Sequence, residues 1–180
     1  MIILCGPSAC GKTEIAKFLN QHFSLRKVVT NTTREKRIGE VDHVDYNFIT
    51  KEEFLKLKEQ DLFVETTCYN NNFYGCLKSE IGDDKVVILE PEGVGNFLKL
   101  NDKKICVFYL EADEQIRIDR MRYRKDKEED IQKRITNDRI SFSSEKLPPI
   151  NFIVNTDRIT IEEGAKQIVT LYNHYLENVK

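Results

Sequence analysis

The chain has 180 residues, 40% of them hydrophobic and 32% charged, with eight Gly and four Pro; this suffices for one domain with a real core and a small inserted lobe, and excludes two full domains, a low-complexity polymer or a disordered tail. Twenty-eight Lys and Arg against 30 Asp and Glu leave a net charge of −2, without the basic footprint of non-specific nucleic-acid binding, so no nucleic-acid partner is expected. Cys5, Cys10, Cys68, Cys76 and Cys106 are an odd number with no CxxC pair, which argues against a disulfide framework or a structural zinc site.

The first predicted element is a strand at Ile2 to Leu4, an apolar run too short for the core of a signal peptide. It leads into Gly6-Pro7-Ser8-Ala9-Cys10-Gly11-Lys12-Thr13, which fits G-x-x-x-x-G-K-[ST], and then into a helix over Thr13 to Phe23. Ile15, Ala16, Phe18, Leu19 and Phe23 form one apolar stripe on that helix. Strand, loop and helix in this order make a phosphate-binding loop. Gly6, Ser8, Ala9, Cys10, Gly11 and Lys12 present backbone N–H groups, the helix start adds its dipole, Lys12 brings positive charge to the terminal phosphates, and Thr13 offers a hydroxyl to Mg²⁺. The implied ligand is a nucleoside triphosphate with its metal.

A second strand is expected at Val28 to Thr30. From Asn31 to about Ile81 the chain turns polar and aromatic, with strand-like pieces at Tyr46 to Thr50 and Leu62 to Tyr69, a helical piece at Glu52 to Glu59 and a turn at Asn70-Asn71-Asn72; this reads as an inserted lobe with its own small sheet. Buried strands are expected next at Val86 to Leu89, Ile105 to Leu110 and Phe152 to Val154. Between the last two, Arg117 to Arg139 is so densely charged that it reads as a solvent-exposed helical flap, too polar for core. An amphipathic helix over Thr160 to Val179 closes the chain. Near-continuous apolar strands alternating with helices predict an α/β fold with a parallel sheet covered on both faces. No stretch approaches the roughly 20 apolar residues that span a bilayer, so a soluble cytoplasmic protein without membrane partners is expected. His22, His43 and His174 are widely separated and read as surface residues.

In the inserted segment, Arg34 and Arg37 lie three apart near Gly39, with Tyr46 and Tyr74 further on. Guanidinium forks and phenol hydroxyls together suit a second phosphate group, although surface arginines near a turn are, read alone, more often simply solvated. The strings TTREKRIGEVDHVDYNF and FVETTCYNNNFYGC, together with the phosphate loop, resemble the guanylate kinase family over essentially the whole chain. The resemblance implies a kinase that moves the γ-phosphoryl of ATP onto GMP, and onto dGMP, around a five-stranded parallel core. That core would comprise residues 1–30, 82–116 and 140–180, with a GMP-binding lobe of mixed sheet at 31–81 and a helical lid at 117–139.

Carried over by position, the family's GMP-phosphate contacts fall on Arg34, Arg37, Tyr46 and Tyr74, with Glu40 in the same segment. Its guanine contacts fall on Thr30, Glu65, Cys76 and Glu92. Guanine presents N1–H and N2–H₂ as adjacent donors that one carboxylate accepts together, and adenine has no such pair, so Glu65 would select G over A. Two positions depart from the family pattern. Cys76 replaces the usual Ser or Thr after Tyr-Gly, and Glu90-Pro91-Glu92-Gly93-Val94-Gly95 replaces Asp-x-Asp-x-Gln-Gly, which leaves metal organisation to Glu90.

Transfer needs positive charge more than a strong base, because the attacking phosphate is already anionic. Lys12, Arg34 and the flap arginines Arg120, Arg124 and Arg134 would supply it, and Asn155 at the end of the last strand would lie beside the adenine. Arg120 and Arg124 are read as lying on one helix face, in a lid one residue shorter than usual and lacking the family's Gly after Arg124. The alternatives are a catalytically weak module that binds a protein partner through the former GMP lobe, and a kinase for another phosphorylated acceptor. A homodimer is compatible with the sequence.

Overall fold

The computed structural model describes residues 1–36, 39–69 and 71–179, and for Tyr69 only the backbone. In chain order the elements are β1 (Ile2–Cys5), α1 (Lys12–His22), β2 (Arg26–Lys27), β3 (Asn31–Thr32), β4 (Asn47–Phe48), α2 (Lys51–Glu59), β5 (Phe63–Tyr69), β6 (Asn72–Leu77), β7 (Lys85–Ile88), α3 (Pro91–Leu98), β8 (Cys106–Glu111), α4 (Glu114–Tyr123), α5 (Glu128–Ser141), β9 (Phe152–Asn155) and α6 (Ile161–Asn178). Five strands in the order β2-β7-β1-β8-β9 make the main sheet, parallel throughout.

Side chains along a strand alternate between faces, and β1 feeds both. Ile2 and Leu4 join Val86, Phe108 and Val154 under Ile15 and Leu19 of α1 and Ile168 and Tyr172 of α6. Ile3 and Cys5 join Val87 and Val107 under Val94 and Phe97 of α3 on the other side. Two apolar layers on one sheet are why these strands read as unbroken apolar runs.

The small sheet, β4-β3-β6-β5, is mixed: β3 pairs parallel with β4 and antiparallel with β6, which pairs antiparallel with β5. The strand expected at Val28 to Thr30 falls two residues earlier, at β2. Val28 still donates to the Val86 carbonyl at 2.8 Å, but the Thr30 carbonyl accepts from the Asn47 amide at 2.9 Å. The chain has by then left one sheet for the other.

The expected exposed flap is two helices, and it is not uniformly polar. Met121, Ile131 and Ile135 are buried together, with Ala9 of the phosphate loop and Ile118 packed against them. Helix α4 ends in a Schellman turn: the Lys125 amide donates to the Arg122 carbonyl at 2.8 Å and the Asp126 amide to Met121 at 3.1 Å, with Lys125 at φ 63° in the left-handed position usually given to glycine. Arg124 is therefore the C-cap of α4, one turn on from Arg120, whose carbonyl accepts its amide at 3.2 Å. His22, His43 and His174 are exposed and all five cysteines are free, as the sequence implies. No described helix is long and apolar enough to cross a membrane.

Candidate functional site

The phosphate loop takes its shape from two glycines. Gly6 has φ 149° and a Cβ built on it would lie 2.1 Å from the Leu110 carbonyl oxygen, so no side chain fits there. Gly11 has φ 98° and opens α1 with no side-chain cap. Helices α2 and α6, by contrast, each begin with a complete capping box. The free N–H groups at the start of α1 are thus available to an external anion.

Lys12 folds back over this loop. Its ammonium donates to the Gly6 carbonyl, to the Pro7 carbonyl at 2.9 Å and lies 3.8 Å from the Cys10 sulfur. Burial pushes the Cys10 thiol up, against the pull of Lys12, so Cys10 is a small buried residue without nucleophilic character. Thr13 is exposed on the first turn of α1. Glu90, the N-cap residue of α3, keeps open surface, but its carboxyl sits among protein atoms. Desolvation raises its pKa, the Lys12 ammonium lowers it, and the Asp138 carboxylate raises it again. A hydroxyl and a carboxylate are hard oxygen donors that fit Mg²⁺ bound mainly through nucleotide phosphates. Among the described residues no cluster of three or more His, Cys, Asp or Glu forms a metal cage.

A second cluster lies on the small sheet. Arg34 donates to Glu40 at 2.7 Å and to the Glu35 carbonyl at 2.7 Å, with its guanidinium carbon 5.5 Å from the Tyr46 ring centroid. The Glu40 carboxylate is the foremost cause that raises the Arg34 pKa, and Tyr74 adds to it. The Tyr46 and Tyr74 rings meet edge-on at 6.0 Å. Three of the four residues expected at the GMP phosphate therefore come together, with Glu40 of the same segment; the fourth, Arg37, lies outside the described residues.

Of the residues expected to meet guanine, Glu65 of β5 stands opposite Cys76 of β6 and is only 8% exposed. Desolvation raises its pKa to about 7, opposed by hydrogen bonds from the Thr67 hydroxyl and the Cys76 amide and reinforced by Glu92. A Cβ added to Gly93 on α3 would stand 3.7 Å from the Glu65 carboxylate, so α3 closes over it. Glu92 is exposed on the first turn of α3, and Thr30 is half-buried. Cys76 has no exposed surface; it packs in the core and its thiol donates to the Leu77 carbonyl at 3.7 Å.

The three arginines of the flap divide. Arg120 reaches the phosphate loop, donating to the Ala9 carbonyl at 3.2 Å and to the Thr156 hydroxyl and carbonyl at 3.2 and 2.5 Å. Arg124 and Arg134 are exposed and converge on Asp126, at 2.8 and 3.6 Å. Asn155 is exposed, bonded to Glu111 at 3.4 Å and accepting from the Asp157 amide at 3.0 Å. Sequence reasoning misses three residues at the loop. Thr156 donates to the Cys10 carbonyl at 3.0 Å, and a buried Arg117–Asp138 pair at 2.7 Å grips Ser8. Thr156 sits directly after Asn155 at the strand end, and that position is the one signal that could have found it. The 20 residues between Arg117 and Asp138 show no periodicity that pairs them.

Comparison with known proteins shows the family. A family model described as Guanylate kinase matches residues 1–174. A protein named Guanylate kinase from Mycoplasma genitalium is 34% identical over 155 residues, covering 79% of this chain and 63% of that protein. A Helicobacter pylori protein of the same name is 35% identical over 149 residues, covering 76% of this chain and 70% of its own length. One from Fusobacterium nucleatum is 29% identical over 99% of this chain and 96% of its own length. The match thus spans under two thirds of the Mycoplasma protein, and 42% of a Mesomycoplasma hyopneumoniae relative. The crystal structure of guanylate kinase from Anaplasma phagocytophilum shares the fold, with a TM-score of 0.72 at 21% identity over 97% of this chain and 84% of that one.

Proposed function

The chain belongs to the guanylate kinase family, and on that premise we propose that it transfers the γ-phosphoryl group of ATP to GMP and dGMP. The observation that carries this reading is the small sheet, where Glu40, Tyr46 and Tyr74 gather around the Arg34 guanidinium while Glu65 is buried on the neighbouring strand pair. A phosphate receptor and an acid suited to guanine share one scaffold. None of the roles assigned to these residues requires a ribose 2′ hydroxyl, so dGMP is included as an acceptor.

ATP would lay its phosphates on the N–H groups of Gly11, Lys12 and Thr13, and Lys12 would exchange the Gly6 and Pro7 carbonyls for the terminal phosphate oxygens. Thr13, with Glu90 nearby, would hold Mg²⁺ against the phosphates, where the ion would supply charge neutralisation at the transferring group. Arg34 would exchange Glu40 for the GMP phosphate, and Arg37 would join it. An oxygen of that phosphate attacks the γ-phosphorus as the bond to the bridging oxygen of ADP breaks; no proton need be removed from the nucleophile. Arg120 holds the loop, while Arg124 and Arg134 would leave Asp126 to meet the phosphates as the lid closes and excludes water. This activity is assigned to the cytoplasm.

ADP release with ATP and Mg²⁺, offering GMP, dGMP, AMP, CMP and UMP in turn, tests the proposal. Stimulation by GMP and dGMP alone is expected. Stimulation by AMP above GMP would remove the role of Glu65, and no stimulation by any acceptor would leave a binding module in place of an enzyme.

A further inference from the structure

Two acids and two cations surround the phosphate loop from the protein side, and one pair has no part in the transfer step. Asp138, in the last turn of α5, is 8% exposed and Arg117, on α4, is 6% exposed. The Asp138 carboxylate accepts from the Ser8 amide at 2.9 Å and from the Ser8 hydroxyl at 3.0 Å, so both of its oxygens are committed to one residue of the loop. Arg117 donates to the same carboxylate at 2.7 Å and lies 3.4 Å from the Ser8 carbonyl. Its Nε is buried without a partner among the described residues.

An arginine left with an unmet buried donor is not placed there for the hydrogen bonds it makes. A buried ion pair of this kind can commonly be replaced by apolar side chains without loss of stability. What it supplies here is geometry. The next residue, Ala9, sits at φ 61°, a conformation disfavoured for a residue with a Cβ, and its carbonyl is held by Arg120. Ser8 and Ala9 are thus fixed from α4 and α5 together, just before the N–H groups that face a phosphate. An unneutralised carboxylate at this point would repel the nucleotide; Arg117 cancels its charge while leaving its acceptor oxygens in use.

We propose that Asp138, neutralised by Arg117, is a positioning residue for the ATP site: it sets the phosphate loop before the nucleotide arrives and couples the loop to the two lid helices. The proposal rests on the loop binding ATP, and its test separates the two. The informative variant is Arg117→Leu with Asp138→Ala, which removes both charges and leaves none unpaired. Melting temperature, kcat, KM for ATP, and affinities for ADP and GMP by direct titration are measured on it, on Asp138→Asn and on the parent.

The expected result for the double variant is a melting temperature close to the parent's, unchanged GMP affinity, ADP affinity weakened about tenfold, and kcat/KM for ATP lowered on the order of 10- to 100-fold, the scale of a misplaced reacting group. Asp138→Asn keeps an acceptor for Ser8 and is expected to fall between the two. A folded double variant with the parent's ATP kinetics and ADP affinity overturns the proposal, as does a loss that falls equally on GMP. Should the double variant not fold, Asp138→Asn with the parent's ADP affinity overturns it as well. A parent that phosphorylates no acceptor and binds no ADP overturns the functional reading and this role together.

Discussion

The phosphate loop and the small sheet are both suited to a phosphate, but they are built from different material. At the loop the groups that matter are main-chain, and their placement is set by Gly6, Gly11 and an uncapped helix. At the small sheet they are side-chain forks and hydroxyls, and Arg34 is occupied by Glu40. A backbone site is fixed by folding and changes little when its ligand leaves. A side-chain site must exchange an internal carboxylate for an external phosphate, and it is tuned by residue identity. The first should therefore be sensitive to charge and φ, the second to the geometry and protonation of single side chains.

The largest expected break is at Lys12. Lys12→Ala removes the ammonium that lies across the loop and should cost on the order of 10³-fold or more in kcat, with GMP binding left within a few-fold by titration. An equal loss of GMP affinity would show that the two sites are not separate.

Next comes Glu65, where protonation enters. Its folded pKa of about 7 lies above the ordinary 4.5, so near neutrality the empty site holds a partly protonated acid, whereas two guanine donors need the carboxylate. GMP should bind more tightly as pH rises from 6 to 8, with release of a proton that calorimetry in buffers of different ionisation enthalpy will detect. Glu65→Gln should weaken GMP roughly 30- to 100-fold at pH 8, the value of losing a charge-assisted pair, and flatten the pH dependence. The stability sign is opposite. The folded state holds the proton more tightly than the unfolded chain, so stability is lost as pH rises from about 4.5 to about 7, by roughly 3 kcal/mol at most. Denaturant melts of the unliganded Gln variant should show that slope reduced.

Arg34→Lys sharpens the comparison at a smaller scale. It keeps the charge but loses the planar fork, and GMP affinity should fall about tenfold while KM for ATP stays unchanged.

The sequence made the backbone site readable because its requirements are local: four fixed residue types between a strand and a helix name it. The main sheet was legible for a similar reason, since burial on both faces leaves unbroken apolar runs. Arg34, Tyr46 and Tyr74 suit a phosphate by residue type alone, but only resemblance to a family joined them with Glu40 and Glu65, because no spacing in the chain says that these separate segments share one small sheet. Arg117 and Asp138 were hidden by their surroundings. In a stretch this rich in charge, the pair that is buried on the loop looks like every pair that is solvated, and only tertiary packing tells them apart. The same stretch concealed Met121, Ile131 and Ile135, whose apolar contacts lie between the two helices of the flap.

The smallest expected effect is at Cys76, and it probes how finely the side-chain site is tuned. Cys76 borders Glu65 across the strand pair, yet its sulfur is fully buried and turned to the Leu77 carbonyl. Cys76→Ser supplies a stronger donor of smaller volume, and that donor can satisfy the same carbonyl. GMP affinity should then be unchanged, or tighter by no more than about threefold if the hydroxyl turns toward the base, while burying a hydroxyl in this apolar layer should cost about 1 kcal/mol of stability. Titration and melting of the one variant read both quantities. A large loss of GMP affinity would mean that Cys76 holds Glu65 in place, and a gain well beyond threefold would mean that the thiol had been limiting base recognition.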